Sequence, residues 1–165
     1  MRKLMSCLVM SLGLMAGAAQ ADVAKMYIGG GFSDGSAEVA GEEDMSLGTL
    51  SATLGFQLLD FVGIEFEIGA GSDQSDSVLS DSLVTYQAAM LRLGYRWDRT
   101  AVYLLGGQAH MDNDVNSSSA GNVFGFGVNL FGNEHLAINF HALNIDDGAF
   151  TTATIGVQYY FGGFR

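Results

Sequence analysis

The sequence contains no proline and a single cysteine, Cys7, which lies in an apolar N-terminal segment. If that segment is removed on export, the mature chain has no thiol, which excludes disulfide bonds, thiolate catalysis and zinc–sulfur sites. Basic residues are scarce as well, with seven Lys and Arg against 18 Asp and Glu. We therefore expect no nucleic-acid partner, because phosphate contacts require Lys and Arg.

The N-terminal segment has the order of features found in a secretory signal peptide. Two basic residues precede an apolar run that ends near Met15, and small residues lead to Ala19-Gln20-Ala21. The run is shorter than the ~20 residues of a spanning helix, and the A-x-A pattern is a cleavage signal. We predict a signal peptide over residues 1–21 and a single domain over residues 22–165. That domain has five basic and 18 acidic residues, a net charge of −13.

Residues 150–161, with the sequence FTTATIGVQYYF, show the clearest pattern in the chain. Apolar residues occupy every second position, and small or polar residues lie between them. A period of two residues predicts a β-strand with two unlike faces. Because aromatic residues gather at its end, this strand indicates a sheet that closes on itself in a membrane.

The same alternation recurs along the chain and predicts eight strands. The connections after the second, fourth and sixth strands are short, whereas the others are mostly longer and rich in Ser, Asp and Gly. Short turns at one end and longer loops at the other predict an all-β, eight-stranded antiparallel up-and-down transmembrane β-barrel. The predicted strands cover residues 25–32, 48–58, 63–71, 84–97, 101–111, 122–130, 136–143 and 151–161.

Alternation alone leaves open which face is inside. A soluble barrel places its apolar face inward, whereas a membrane barrel places it outward. The polar face is rich in Gly, Ala, Ser and Thr, which suit the narrow interior of eight strands. Aromatic residues also cluster near the short turns, as an interfacial girdle would. Both features favour the membrane, and the girdle residues are Tyr95, Trp97, Phe131, Tyr159 and Phe161.

The last strand resembles that of the small outer-membrane β-barrel proteins of Gram-negative bacteria, a group that includes the opacity proteins and outer membrane protein X. In that family a polar residue, a glycine two positions later, and aromatic or apolar residues three and five positions further form a signal for the barrel-assembly machinery. Thr154, Gly156, Tyr159 and Phe161 match this spacing, although GGFR follows the last aromatic residue. The resemblance covers the mature chain. It implies an outer-membrane monomer in contact with lipid, lipopolysaccharide and that machinery, but it specifies no activity.

Four charged residues fall on the polar faces of two neighbouring predicted strands: Glu65, Glu67, Arg92 and Arg96. Counted from the short turns, Glu67 should lie level with Arg92, and Glu65 nearer Arg96. Charges removed from water need partners, so we predict cross-strand Glu–Arg pairs in the lumen. The pairs could form a gate or an ion path. We favour a plug, because wide aqueous channels come with ~16–18 strands.

Two histidines raise the question of catalysis. His141 lies in a stretch that faintly resembles the His-x-Ser-Asn motif of outer-membrane lipid A deacylases, but Leu143 occupies the position of the nucleophilic serine. Acyl transfer needs a nucleophile beside its base, so we expect a lumen histidine bonded to Asn139 or Gln158 instead. His110 lies close to an aspartate but lacks a second catalytic partner. We therefore expect no enzyme activity and no cofactor.

The connections on the longer-loop side are strongly acidic, with twelve acidic residues and no Lys or Arg. Such a surface could hold divalent cations or dock a basic partner. Residues 112–116 have the first three ligand spacings of an EF-hand loop, but Ser117 and Val123 replace its glycine and glutamate. We expect loosely bound divalent cations and no defined metal site. The acidic residues are Asp34, Glu38, Glu42, Glu43, Asp44, Asp73, Asp76, Asp81, Asp112, Asp114, Asp146 and Asp147.

These observations favour a non-enzymatic integral outer-membrane barrel that acts in envelope structure or in surface interaction through acidic extracellular loops. Three alternatives stay open at this point: a small conductance pore, a lipid A-modifying enzyme, and a soluble periplasmic barrel that holds a ligand in an apolar core.

Overall fold

A computed structural model describes residues 24–37, 45–58, 61–73, 83–113, 119–146 and 150–161. The predicted signal peptide and the greater part of the EF-hand-like segment lie outside these residues. No helix within the described ranges is long and apolar enough to cross a membrane. The strands are β1 (Ala24–Ala37), β2 (Met45–Leu58), β3 (Val62–Asp73), β4 (Leu83–Trp97), β5 (Thr100–Asn113), β6 (Ser119–Phe131), β7 (Leu136–Ile145) and β8 (Phe150–Phe161).

Each strand pairs antiparallel with its neighbours in sequence, and β8 returns to pair with β1. The predicted eight-stranded up-and-down barrel is confirmed. Several strands run further toward the loop end than predicted; β1 continues five residues beyond position 32, to Ala37. The difference arises because Ser, Gly and Asp residues, which read as loop in the sequence, still pair through their backbone.

The register of the closed sheet sets the tilt of the strands. A path can be followed around the barrel from each residue to its directly paired neighbour on the next strand. Starting at Ala24 on β1, this path returns to β1 at Asp34, ten residues further along. With a rise of ~3.3 Å per residue and a strand spacing of ~4.8 Å, this offset tilts the strands by about 40° from the barrel axis. One residue therefore advances about 2.5 Å along the axis.

The apolar side chains of the alternating strands point outward. On β4, Leu91 and Leu93 are about half exposed, whereas Met90 and Arg92 beside them are buried. The same alternation around the barrel produces an apolar outer band and a lumen that receives Ser, Thr, Asn, Gln and charged side chains. This is the arrangement of a membrane barrel and the reverse of a soluble ligand-holding one.

An aromatic girdle surrounds the short-turn end of the barrel. Tyr95 and Trp97 stack with their ring centroids 6.1 Å apart, and Tyr159 meets Phe161 edge-on at 5.1 Å. Aromatic rings of this kind sit at the boundary between hydrocarbon and water in membrane barrels. These four residues therefore mark the level of one membrane surface.

Phe131, which we expected in this girdle, is instead buried inside the barrel. Leu130 takes the outward position on β6, so the next side chain turns into the lumen. There the Phe131 ring lies 5.3 Å from the ring of Tyr160. It belongs to a small inner layer that closes the short-turn end: Tyr27, Ala101, Phe131, Ala137 and Tyr160.

A second apolar layer lies inside the barrel toward the loop end. It includes Val123, Leu143, Ile145 and Phe150, each almost completely buried. The Phe150 ring packs 5.7 Å from that of Tyr86. Polar side chains share this level, because the buried Thr152 lies directly opposite Leu143.

Candidate functional site

Three tyrosines reach into the lumen because each faces a glycine on a neighbouring strand. A Cβ atom at any of these glycines would overlap the ring of the tyrosine opposite. The exposed glycine backbone thus gives each ring a flat surface to lie on. The pairs are Tyr27 with Gly55, Tyr86 with Gly69, and Tyr103 with Gly127.

Glu65, Arg92 and Tyr27 form the first charged cluster. Arg92 Nη1 donates to Glu65 Oε2 at 3.0 Å and to the Tyr27 hydroxyl at 2.9 Å. The Tyr27 hydroxyl donates in turn to the same carboxylate oxygen. The guanidinium also lies over the Tyr103 ring, 3.6 Å from its centroid. Because the charged side chains are 4% and 0% exposed, the aromatic rings replace water around this ion pair.

Glu67 and His141 form the second charged cluster. The Tyr86 hydroxyl donates to Glu67 Oε1 at 2.5 Å, and His141 Nε2 lies 3.2 Å from Glu67 Oε2. On the other side of the imidazole ring, Nδ1 lies 2.7 Å from Oδ1 of Asn139. Both ring nitrogens face oxygen acceptors, and a protonated imidazole supplies both donors. In that form His141 neutralises Glu67, and each of the two buried carboxylates has a cation beside it.

A row of amides joins this cluster to the aromatic layer at the short-turn end. Asn139 Nδ2 donates to Asn129 Oδ1 at 2.6 Å, which directs the Asn139 oxygen toward His141. Asn129 Nδ2 donates to Gln158 Oε1 at 2.8 Å and to the Tyr160 hydroxyl at 2.6 Å. The amides therefore satisfy one another, as buried polar groups must.

The predicted lumen charges point inward, but the pairing differs from the expected one. Arg92 lies directly opposite Gly63, and its side chain reaches Glu65 instead of Glu67. Counting from the short turns had placed Glu67 level with Arg92. That count ignored the stagger of tilted strands, which shifts directly paired residues by about 3 Å along the axis at each strand.

Arg96 also differs from its expected environment near Glu65. Its Nε donates to the Asp98 carbonyl at 3.1 Å, and its guanidinium covers the Phe131 ring at 4.2 Å. It therefore belongs to the short-turn end, one layer away from the charged clusters. Glu65 has Arg92 as its cation instead.

One narrow space beside the second cluster, lined by Ser51, His141 and Thr154, is too small to admit water. Leu143, two residues beyond His141 on the same face of β7, belongs to the apolar layer on the loop side. This arrangement can hold charges in a fixed place inside the barrel.

Sequence reasoning found the lumen carboxylates and Arg92, but it missed His141 as the partner of Glu67 and the tyrosines that bridge the clusters. A signal for the tyrosines is present in the sequence. Glycines recur on the polar faces of strands whose neighbours carry an inward tyrosine, as Gly55 and Tyr27 do. Finding such pairs requires the register, which alternation does not give.

The predicted assembly-signal residues divide between the two faces of β8. Tyr159 and Phe161 point outward into the girdle, whereas Thr154 is buried and its hydroxyl lies 2.6 Å from Ser33 Oγ. Gly156 faces β1 at Gly31, where an added Cβ would crowd the β1 backbone. Their role in assembly stays a prediction.

Neither histidine lies in a complete catalytic arrangement among the described residues. Leu143 is buried in the lumen layer on the same face of β7 as His141. His110 Nε2 lies 3.5 Å from Asp112 Oδ1, with both side chains about half exposed on the outer surface. No group of three or more His, Cys, Asp or Glu side chains that could hold a metal ion occurs in the described parts of the chain.

The chain belongs to the family described as outer membrane protein beta-barrel domain, whose model matches residues 5–161. This match and the barrel together identify an outer-membrane protein. No curated protein is similar enough to the chain to count as a relative.

Solved structures of three bacterial barrels share the fold. The attachment invasion locus protein Ail of Yersinia pestis is 16% identical, with a TM-score of 0.62 over 84% of this chain and 99% of Ail. The N-terminal barrel of Pseudomonas aeruginosa OprF is 14% identical, with a TM-score of 0.64 over 83% of this chain and 97% of OprF. Neisserial surface protein A is 10% identical, with a TM-score of 0.61 over 82% and 96%. At these identities the likeness concerns the fold.

Proposed function

We propose that this outer-membrane barrel is non-enzymatic and non-conducting, and that it acts in envelope structure or surface interaction through its acidic loops. The observation that supports the proposal is the pair of buried charged clusters, together with a space beside His141 that is too small to admit water. A barrel that is closed through its centre must act through its outer surface or its ends.

Planar-bilayer recordings test the non-conducting part of this proposal. The purified, folded protein should insert without producing discrete current steps, while a general porin added under the same conditions gives them. A matched variant, Tyr103→Ala, removes the ring that covers Arg92 and opens space in the lumen, so it should conduct. Regular current steps from the wild type would establish the pore instead.

The loop proposal rests on charge. The four longer connections and their flanks carry twelve acidic residues and no Lys or Arg, so they should attract divalent cations and basic partners and repel polyanions. Ail, which shares the fold, has been solved in complex with the heparin analogue sucrose octasulfate. We propose the opposite preference for this chain.

Binding to vesicle-embedded protein distinguishes these preferences. A polylysine peptide should bind and sucrose octasulfate should not, and binding should weaken steeply with salt because exposed charges are screened within ~10 Å at 0.1 M ionic strength. Neutralising Glu42, Glu43 and Asp44 as amides should reduce binding, whereas the same change at Glu134, in a short turn, should not. Equal binding by both variants would refute a role for the loops.

The lipid A-modifying alternative lacks the serine of the motif it resembles, because Leu143 occupies that position, and His141 is buried in the lumen. Mass spectra of lipid A from cells that overproduce the protein should therefore match those from cells with an empty vector. A new deacylated or acylated species that disappears in His141→Gln cells would overturn the non-enzymatic proposal.

We also propose that residues 1–21 are removed on export and that Phe161 belongs to the assembly signal. N-terminal sequencing of the outer-membrane protein should begin at Asp22. Phe161→Ala should lower the fraction of folded protein in outer membranes, while Phe161→Tyr, which keeps the ring, should leave it unchanged. Equal folded fractions for both variants would remove Phe161 from the signal.

A further inference from the structure

The outward surface of the barrel ends differently at its two rims. The short-turn rim carries the aromatic girdle, whereas amide and imidazole side chains replace aromatic ones on β4, β5 and β6 toward the loops. Gln87 lies ten residues from Trp97 on β4, a distance of about 25 Å along the barrel axis. The apolar band of outer-membrane barrels is ~25 Å tall, so Gln87 lies at its outer boundary.

Four hydrogen-bonding side chains form one contiguous block at this boundary. Gln87 lies directly opposite His110 on β5, and Gln108 lies opposite Asn122 on β6. All four side chains are exposed on the outward face, and none of them is Lys or Arg. An exposed amide at the edge of hydrocarbon requires a hydrogen-bonding partner, because burying it without one is costly. His110 already faces Asp112 Oδ1 at 3.5 Å. The three amides of the block therefore call for a partner that offers neutral donors and acceptors.

An apolar groove of about 370 Å³ opens directly beside this block. It forms because Ala89, a small residue, lies between Phe66 on β3 and Gln108 on β5. Ile68 forms a further apolar wall, and Gln87 and His110 complete the rim. A second outward groove, between Phe61, Tyr95 and Leu104 near the girdle, is lined by apolar and aromatic side chains without any amide. A third groove, beside Leu50, Ala52 and Ala70, shares Gln87 but has no second amide. The groove at Ala89, which we name the Ala89 groove, differs from both because Gln87, Gln108 and His110 line it together.

We propose that the Ala89 groove seats an acyl chain of a lipopolysaccharide molecule, with Gln87, Gln108 and His110 bonding the linkage region of that chain. The occupant follows from position: the groove is part of the membrane-facing surface and lies at the long-loop rim, which faces the lipopolysaccharide leaflet in an outer-membrane barrel. In lipopolysaccharide, hydroxylated acyl chains join the sugars through amide and ester bonds. Neutral carboxamides complement these groups, whereas a phosphate-directed site would use Lys or Arg.

This proposal rests on the outer-membrane location and is independent of any role of the acidic loops. It is tested by the amount of lipopolysaccharide that folded protein retains. Delipidated protein is incubated with purified lipopolysaccharide in detergent, separated from unbound material, and analysed by native mass spectrometry. The double variant Gln87→Leu/Gln108→Leu should retain about tenfold less than the wild type, the loss expected when two hydrogen bonds to neutral groups disappear.

Filling the groove gives a second, independent variant. Ala89→Phe should also lose retention, because the new ring occupies the space of the acyl chain. Ala153→Phe is the matched control, since Ala153 is likewise an exposed outward alanine, on β8. A band shift on unheated gels shows which variants are folded, and the glutamine double variant decides alone if Ala89→Phe does not fold.

Three results would overturn the proposal. Retention could be unchanged in the glutamine variant, which would show that the amides do not hold the lipid. It could fall equally in Ala153→Phe, which would show an unspecific shell of lipid. Finally, a phospholipid offered in the same way could be retained as well as lipopolysaccharide and lost in the same variants, which would assign the groove to phospholipid.

Discussion

Removing Arg92 should strongly destabilise the barrel, because it breaks a buried ion pair from one side. In Arg92→Leu, the Glu65 carboxylate loses its only described cationic neighbour while it stays fully buried, with the Tyr27 hydroxyl as its donor. Breaking a buried pair from one side typically costs about 3–5 kcal/mol, because an uncompensated charge is left behind. We expect Arg92→Leu to lower the free energy of unfolding by that amount.

Removing the charge of Glu65 should lower the free energy of unfolding less than removing Arg92 does. In Glu65→Gln the guanidinium keeps the Tyr27 hydroxyl at 2.9 Å and the face of the Tyr103 ring at 3.6 Å. A desolvated cation–π contact stabilises by ~2 kcal/mol or more, so this cation stays partly compensated. In the double variant Glu65→Gln/Arg92→Leu both charges are gone. We expect a coupling energy of at least about 2 kcal/mol, within the range found for residues in direct contact.

Urea unfolding in phospholipid vesicles measures these differences. Trp97 is the only tryptophan, and it lies in the girdle at the membrane surface, so its fluorescence reports insertion directly. The gel shift of the folded band supplies a second probe of the same transition. The reasoning would be refuted if the losses of stability in the two single variants were strictly additive in the double variant. A loss of stability below ~1 kcal/mol for Arg92→Leu would refute it as well, since both results would mean that water reaches the ion pair.

Two further predictions concern the lumen. Gly69→Ala should destabilise the barrel by about 1–3 kcal/mol through overpacking, because the new Cβ would overlap the Tyr86 ring. Gly106→Ala is the control, since its Cβ would meet no atom closer than 3.9 Å, and urea unfolding should show no comparable loss of stability for it. His141→Leu should lower the free energy of unfolding by about 3–5 kcal/mol, because the buried Glu67 carboxylate loses its cation. Adding Glu67→Gln to this variant should restore part of the lost stability, and no recovery would contradict the proposed charge pairing.

The architecture could be predicted because its signals are local. A period of two residues assigns the face of each side chain without knowledge of its neighbours, as Leu91 and Arg92 illustrate. The alternation of short and long connections then fixes the order of the strands. Phe131 shows where local reasoning fails: its position near the short turns predicted a girdle residue, but a membrane girdle also requires the outward face, which Leu130 occupies.

The contacts inside the barrel could not be predicted in the same way because they depend on the shear of the whole sheet. An offset of ten residues accumulates over eight strands and decides that Arg92 meets Glu65 instead of Glu67. His141 reaches Glu67 from β7, which is not a neighbour of β3 in the sheet, so only the narrow radius of the barrel brings them together. Each lumen partner therefore follows from strand number, tilt and side-chain length jointly. A change in shear would leave each side chain on its inward or outward face, but it would exchange the lumen partners. The lumen pairs therefore test the register of the sheet more sharply than the exposure of the outer apolar band does.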